Sequence, residues 1–186
     1  MLRPPISIPL PKIVGNLLLA DPALRDGIFN KSVVYMFEHD RERGSAGFIL
    51  NHHTGRNVGD LVDAKELKPL KDIPVYYGGP VQDQQLHFVS FSWEGNKLVL
   101  DTEVSAEDAI ILHHTGDSHL RAFVGHSAWS KGQLAGELDS ESWFTAAPPR
   151  DLMDKTQDNS LWSYVLSHLS SYHQVVSLTP EDPFLN

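Results

Sequence analysis

Apolar residues in this chain fall into short runs, and helical spacing is confined to a few stretches, so the pattern predicts many brief strands and a minority of helix. Ile13 to Ala20, an apolar run interrupted by Gly15 and Asn16, reads as a strand. Ser32 to Phe37 is β-branched and aromatic, which suits a strand buried on both faces. Ala46 to Leu50 follows the charged, turn-like Asp40 to Gly44, so Val33–Phe37 and Ala46–Leu50 predict a hairpin with a longer loop. Val58 to Leu67 has room for a short amphipathic helix, and Lys65 to Lys71 is a basic connector broken by proline. Val75-Tyr76-Tyr77 runs into Gly78-Gly79-Pro80, a strand ended by a forced turn.

Leu86 to Trp93 and Lys97 to Leu100 flank Glu94-Gly95-Asn96, a second hairpin signal. Ser105-Ala106-Glu107-Asp108 resembles a capping box, with Ala106, Ala109, Ile110 and His113 then recurring on one helical face. Leu120 to Gly125 reads as a strand, Lys131 to Leu138 as a short helix and Trp143-Phe144 as a strand. From Ser160 to Tyr172 one amphipathic helix is predicted, with Leu161, Trp162, Val165, Leu166, Leu169 and Tyr172 on its apolar stripe. Strands and helices mix without strict alternation, so the fold class is α+β: a mixed, largely antiparallel sheet or sheets with flanking α-helices. Residues 1–186 read as a single domain with an extended Pro-rich arm over 1–12, and Pro148 to Asn159 is the segment best suited to a hinge.

Length and composition fit that picture. A 186-residue chain with 41% hydrophobic residues can bury a sizeable core unaided by disulfides or a structural metal. Its 15 basic and 24 acidic residues give a net charge of −9, which opposes direct nucleic-acid binding unless a local basic patch overcomes it. With no cysteine, thiolate nucleophiles, Cys-ligated zinc and disulfide switches are excluded. Prolines interrupt the N-terminal stretch where a secretory apolar core would lie, and no apolar run approaches the ~20 residues that span a bilayer. The expected location is cytoplasmic, with no membrane partner.

The candidate chemistry is thin. The ten histidines include His52-His53 and His113-His114, but adjacent histidines diverge and none has metal-ligand spacing, so no metal or cofactor is assigned. His168, on the apolar stripe of the last helix, reads as a core histidine. Gly125-His126-Ser127-Ala128-Trp129 approaches a nucleophile elbow, with Trp129 in place of the final glycine, so the alternative function is a serine hydrolase centred on Ser127. Asp101, Glu103, Glu107 and Asp108 could offer oxygen ligands but read as helix-start acids. Lys65, Lys68 and Lys71 form a small basic cluster without interleaved aromatics.

Taken as a set, several motifs are familiar: Gly15-Asn16-Leu17-Leu18 with Ala20 and Pro22; Phe29 with Ser32 to Tyr35; His39, Gly44, Gly47 and Asn51; Gly78-Gly79-Pro80-Val81; and Gly125 with Trp129, Gly132-Gln133-Leu134, Glu137 and Trp143. In this order they resemble the AlgH/YqgE family, from about Ile13 to Trp143. His52-His53 stands where the family usually continues Asn-Arg-Pro, and Ser127-Ala128 where a small residue is followed by glycine. The resemblance implies a compact α+β fold in a bacterial-type cytoplasmic protein, from a family commonly labelled transcriptional regulators. It supplies no catalytic residues. The expected function is therefore non-enzymatic, through contacts with a protein or a small polar ligand, and direct DNA binding is a further alternative. If Asn51, Gly78, Gly79, Trp129 and Gln133 converge, their amides and indole form a neutral hydrogen-bonding groove for such a ligand.

Overall fold

The computed structural model describes residues 9–24 and 27–180. Its strands are β1 (Leu17–Ala20), β2 (Val33–Asp40), β3 (Gly44–Ile49), β4 (His53–Asn57), β5 (Pro74–Tyr77), β6 (Val81–Glu94), β7 (Lys97–Asp101), β8 (His119–Trp129) and β9 (Trp143–Ala146). The helices are α1 (Val58–Leu61), α2 (Ala106–Thr115), α3 (Gln133–Asp139), α4 (Asn159–Ser167) and α5 (Ser171–Val176). The class is mixed α+β, as expected.

Two sheets share the long strand β8. In one, the order is β9-β1-β2-β3-β8, antiparallel throughout. In the other, β8 lies between β5, its parallel neighbour, and β6, and these carry the outer strands β4 and β7. Alternation along β1 shows how the layers are filled. Leu17 and Leu19 face the main core, which also holds Tyr35, Phe48, Phe91, Phe123 and Trp162. Leu18 and Ala20 face a second cluster built around Trp129, Leu134 and Trp143. A third cluster packs Ala109 of α2 and Val58 of α1 on Val75, Phe88 and Ala122.

Both predicted hairpins form. In the first, Asp40 accepts backbone N–H bonds from Glu42 (2.8 Å) and Arg43 (2.9 Å), closing the loop. In the second, Glu94 pairs with Lys97 across Gly95-Asn96, with Gly95 at φ +60°. Ser105 caps α2 by accepting the Asp108 N–H.

Five local expectations need correction. The helix expected over Ser160–Tyr172 is two helices: i→i−3 bonds from His168 and Leu169 close α4, and Ser170 caps α5. Leu169 and Tyr172 still pack on the main core, so the apolar stripe continues across the break. The core histidine is His173 rather than His168, which is exposed. Over Val58–Leu67, only the single turn α1 is α-helical, and a 3-10 helix over Lys65–Leu70 follows it. The segment expected to hinge is pinned: Leu152 and Met153 lie in the main core, and Asp151 accepts the Tyr164 hydroxyl at 2.7 Å. The expected extended arm lies outside the described residues up to residue 8, whereas Leu10–Lys12 is a 3-10 turn with Leu10 packed on the second cluster.

Candidate functional site

Gly78 and Gly79 serve a chain crossing. β5 lies beside β8 through Tyr77↔Val124, and Val81 pairs with His126 on the strand's opposite edge, so Gly79 and Pro80 carry the chain across β8. Backbones touch there. A Cβ on Gly79, at φ +146°, would stand 2.3 Å from the His126 carbonyl carbon, and one on Gly78 would stand 2.4 Å from the Gly125 oxygen. The Gly78 N–H is spent on Val124 O at 2.9 Å, and its carbonyl accepts both the Ile49 N–H (3.0 Å) and the Ser127 hydroxyl (3.1 Å).

Ser127 is fully buried inside β8, paired with Gly47 of β3. An elbow needs a sharp strand-to-helix turn that exposes the hydroxyl. Here Gly125-His126-Ser127 continues as strand, and the hydroxyl is committed to Gly78.

Trp129 and Gln133 meet around a third residue. The Glu137 carboxylate accepts the indole N–H of Trp129 (2.8 Å), that of Trp143 (2.8 Å) and the Gln133 amide (2.9 Å). Gln133 also accepts the Ser130 N–H at 3.0 Å, closing the turn into α3, while Phe29 packs on both indoles.

Asn51 is elsewhere. Buried to 2% exposure, it accepts the Val33 N–H at 2.8 Å and donates to the carbonyls of Lys31 (2.9 Å) and Asp158 (3.3 Å). It thereby ties β2, the exit of β3 and the start of α4. Ser45 pairs with Trp129 at the opposite end of β3. At about 3.3 Å per residue, Ser45 to Ile49 alone separates the two sites by roughly 13 Å. Asn51, Gly78, Gly79, Trp129 and Gln133 therefore occupy three places and enclose no common groove.

Among the described residues, no group of three or more His, Asp or Glu could hold a metal. Asp101 accepts the Glu103 N–H, and the Asp108 carboxylate accepts the Ser105 hydroxyl at the α2 cap, so two of the four acids are spent on local turns. His87 and His126 face each other at 6.4 Å between ring centroids, with Phe37 beside His126 and Phe48 beside His87. Burial pulls the pKa of each below the ordinary histidine value, and for His126 the neighbouring His87 adds to this.

Two concavities gather residues from several segments, including the motif residues Asn16 and Tyr35 in one and His39, Gly44, Gly132 and Leu134 in the other. A cavity of about 660 Å³ opens between the segment before β1, the start of β2 and β7, and is lined by Lys12, Val14, Asn16, Tyr35, Phe37, Lys97, Leu98 and Leu100 among others. The Tyr35 hydroxyl crosses one wall to the Leu98 carbonyl at 2.7 Å, and burial pushes its pKa up to about 12. A smaller cavity of about 300 Å³ is lined in part by His39 and Ser45, with His39 Nδ1 2.8 Å from Ser45 Oγ. Among the described residues, no carboxylate is hydrogen-bonded to His39. Pairwise spacing offered no signal for either cavity, because residues from several distant segments converge in each.

The family model for AlgH-like proteins matches residues 17–173. A UPF0301 protein of Parabacteroides distasonis is 32% identical over 184 residues, covering 94% of this chain and 91% of that protein. Another, from Chlorobium phaeobacteroides, is 33% identical over 190 residues, covering 92% and 95%. In structure, the chain resembles a crystallised protein of Corynebacterium diphtheriae with a TM-score of 0.70 at 24% identity, covering 95% of this chain and 94% of that one. It also resembles the solution structure of the AlgH protein from Pseudomonas aeruginosa, with a TM-score of 0.67 at 23% identity, covering 94% and 98%. The structural likenesses establish a shared α+β fold. Together with the family match and the relatives' near-complete coverage, they lead to one assignment: the chain belongs to the AlgH-like family.

Proposed function

We propose that this protein is a non-enzymatic cytoplasmic regulator that acts by binding, with the cavity of about 660 Å³ as its small-ligand site. One observation carries the reading: Asn51, Ser127, Trp129, Gln133 and Glu137 all direct their polar atoms at one another or at the backbone. Side chains so committed brace the fold. The cavity itself lies within the size range of small-molecule sites, and its titratable lining is two lysines and Tyr35, whose hydroxyl is bonded to the Leu98 carbonyl. No helix among the described residues is long and apolar enough to cross a membrane, and the cysteine-free chain suits a reducing compartment. The charge argues against direct DNA binding: the basic cluster is Lys65 and Lys68 on one short 3-10 helix with Lys71, paired to Asp72, at its C-cap, in a chain of net charge −9.

The test is ligand-observed NMR with a library of small organic compounds, each followed for chemical change over the same period. Reversible binding without conversion is expected. Conversion that Ser45→Ala or Ser127→Ala abolishes while the thermal midpoint stays unchanged overturns the reading.

A further inference from the structure

The geometry points to a ligand class for this cavity: a small organic anion with an apolar body, its charge held by Lys12 and Lys97. The inference rests on the binding reading above and deepens it.

Three observations converge. The first is charge. In a chain of net −9, the lining carries two lysines and no carboxylate. Among the described residues neither Lys12 nor Lys97 forms an ion pair, a state shared with Lys31, Lys65 and Lys68, so what sets these two apart is their place in one cavity lining without a carboxylate. Just outside the lining, Arg150 donates to the Gly95 carbonyl at the hairpin tip and lies over the Trp93 ring at 4.5 Å, adding a third cation to the same end of the molecule.

The second is backbone polarity. β7 pairs with β6 alone among the described strands, in the register Glu94↔Lys97 and Trp93↔Leu98. Antiparallel alternation then directs the backbone groups of Leu98 and Leu100 away from β6. The Leu98 carbonyl, which receives the Tyr35 hydroxyl, confirms that direction. The N–H groups of Leu98 and Leu100 therefore face the cavity as donors, and a carboxylate can accept from them while it faces the lysines.

The third is shape. Tyr35, Phe37, Leu100 and the half-exposed Val14 supply an apolar surface inside the cationic rim. An inorganic anion would leave that surface wet, and an apolar neutral molecule would leave the lysines and N–H donors unused.

The test is a titration of the 15N-labelled full chain with octanoate, 1-octanol and octylamine, read by amide chemical shifts. Octanoate is expected to shift the Leu98 and Leu100 amides saturably, at least fivefold tighter than octanol, with octylamine inert at those positions. Lys12→Glu combined with Lys97→Glu should weaken octanoate at least tenfold while the rest of the spectrum stays folded. Lys12→Gln with Lys97→Gln should weaken it less, and 1 M NaCl should weaken it too. Octanol or octylamine binding there as tightly as octanoate overturns the anion assignment and leaves the cavity as a ligand site. Shifts that map elsewhere, or no shifts with any probe, overturn both.

Discussion

Glu137→Ala removes the one carboxylate that two buried indoles share. Trp129 and Trp143 are each 3% exposed, and their N–H groups both end on Glu137 Oε2 at 2.8 Å. A buried donor stripped of its acceptor costs about 1–3 kcal/mol. Two such donors put the expected loss at about 4 kcal/mol, a large share of the ~5–15 kcal/mol that holds a typical domain together. The Gln133 amide, on the exposed side of α3, turns to water and adds little. Glu137→Gln keeps a carbonyl oxygen for the indoles and loses only the charge assistance, so it should cost about 1–2 kcal/mol.

Equilibrium urea unfolding followed by tryptophan fluorescence and far-ultraviolet circular dichroism measures both variants. For Glu137→Ala the midpoint should fall by roughly 1–2 M. A double-mutant cycle isolates the cause: with Trp129→Phe and Trp143→Phe in place, Glu137→Ala should cost under about 1 kcal/mol, because no buried donor is then stranded. A loss from Glu137→Ala of less than about 1 kcal/mol in the parent chain, or an equal loss in the Phe-substituted background, refutes the reasoning.

Three further outcomes follow from the same geometry. Gly79→Ala should cost more than about 3 kcal/mol and show as lost soluble yield, since its Cβ would overlap the His126 backbone at a φ that favours glycine. Asn51→Ala should cost about 2–3 kcal/mol in urea unfolding, because the buried Val33 N–H loses its acceptor. Burial lowers the pKa of His52, His87 and His126 in the fold, so below about pH 6.5 the unfolded chain binds more protons than the native one. Stability is then fully present above that pH and is lost as pH falls from about 6.5 through the lowered native values; His87→Phe should flatten the slope, and an unchanged slope refutes the assignment.

The sequence made legible what local chemistry decides. Gly95 in a two-residue turn, Ser105 at a helix start and the aromatic run before Phe37 each act within a few residues, and each formed as expected. The strand β4 was not legible, because His53-Thr54-Gly55-Arg56-Asn57 has no apolar residue and owes its form to pairing at the edge of β5. The break between α4 and α5 was hidden for the opposite reason: the apolar spacing runs on through Leu169 and Tyr172, and only the Ser170 cap interrupts it. The motif residues were visible as a set, but their partners were not. Asn51 answers to Val33 and Asp158, and Ser127 to Gly78, pairings that β8 and the α4 entry create only on folding.

That distinction also bears on where a ligand can bind. To bind through Asn51 or Glu137, a ligand would first displace protein hydrogen bonds and replace each of them, so the net gain from every such contact is close to zero or negative. Among the described residues, Lys97, Lys12 and the outward N–H groups of β7 have no protein bond to surrender; they exchange only water, and a charge-assisted contact there contributes its full difference. Asn51 and Glu137, though easily read from the sequence, are thus poorly available to a partner. The free ones, a lysine beside a tight turn and the unpaired edge of a five-residue strand, carry no motif at all, so a search for function in this fold should begin at the β6–β7 hairpin.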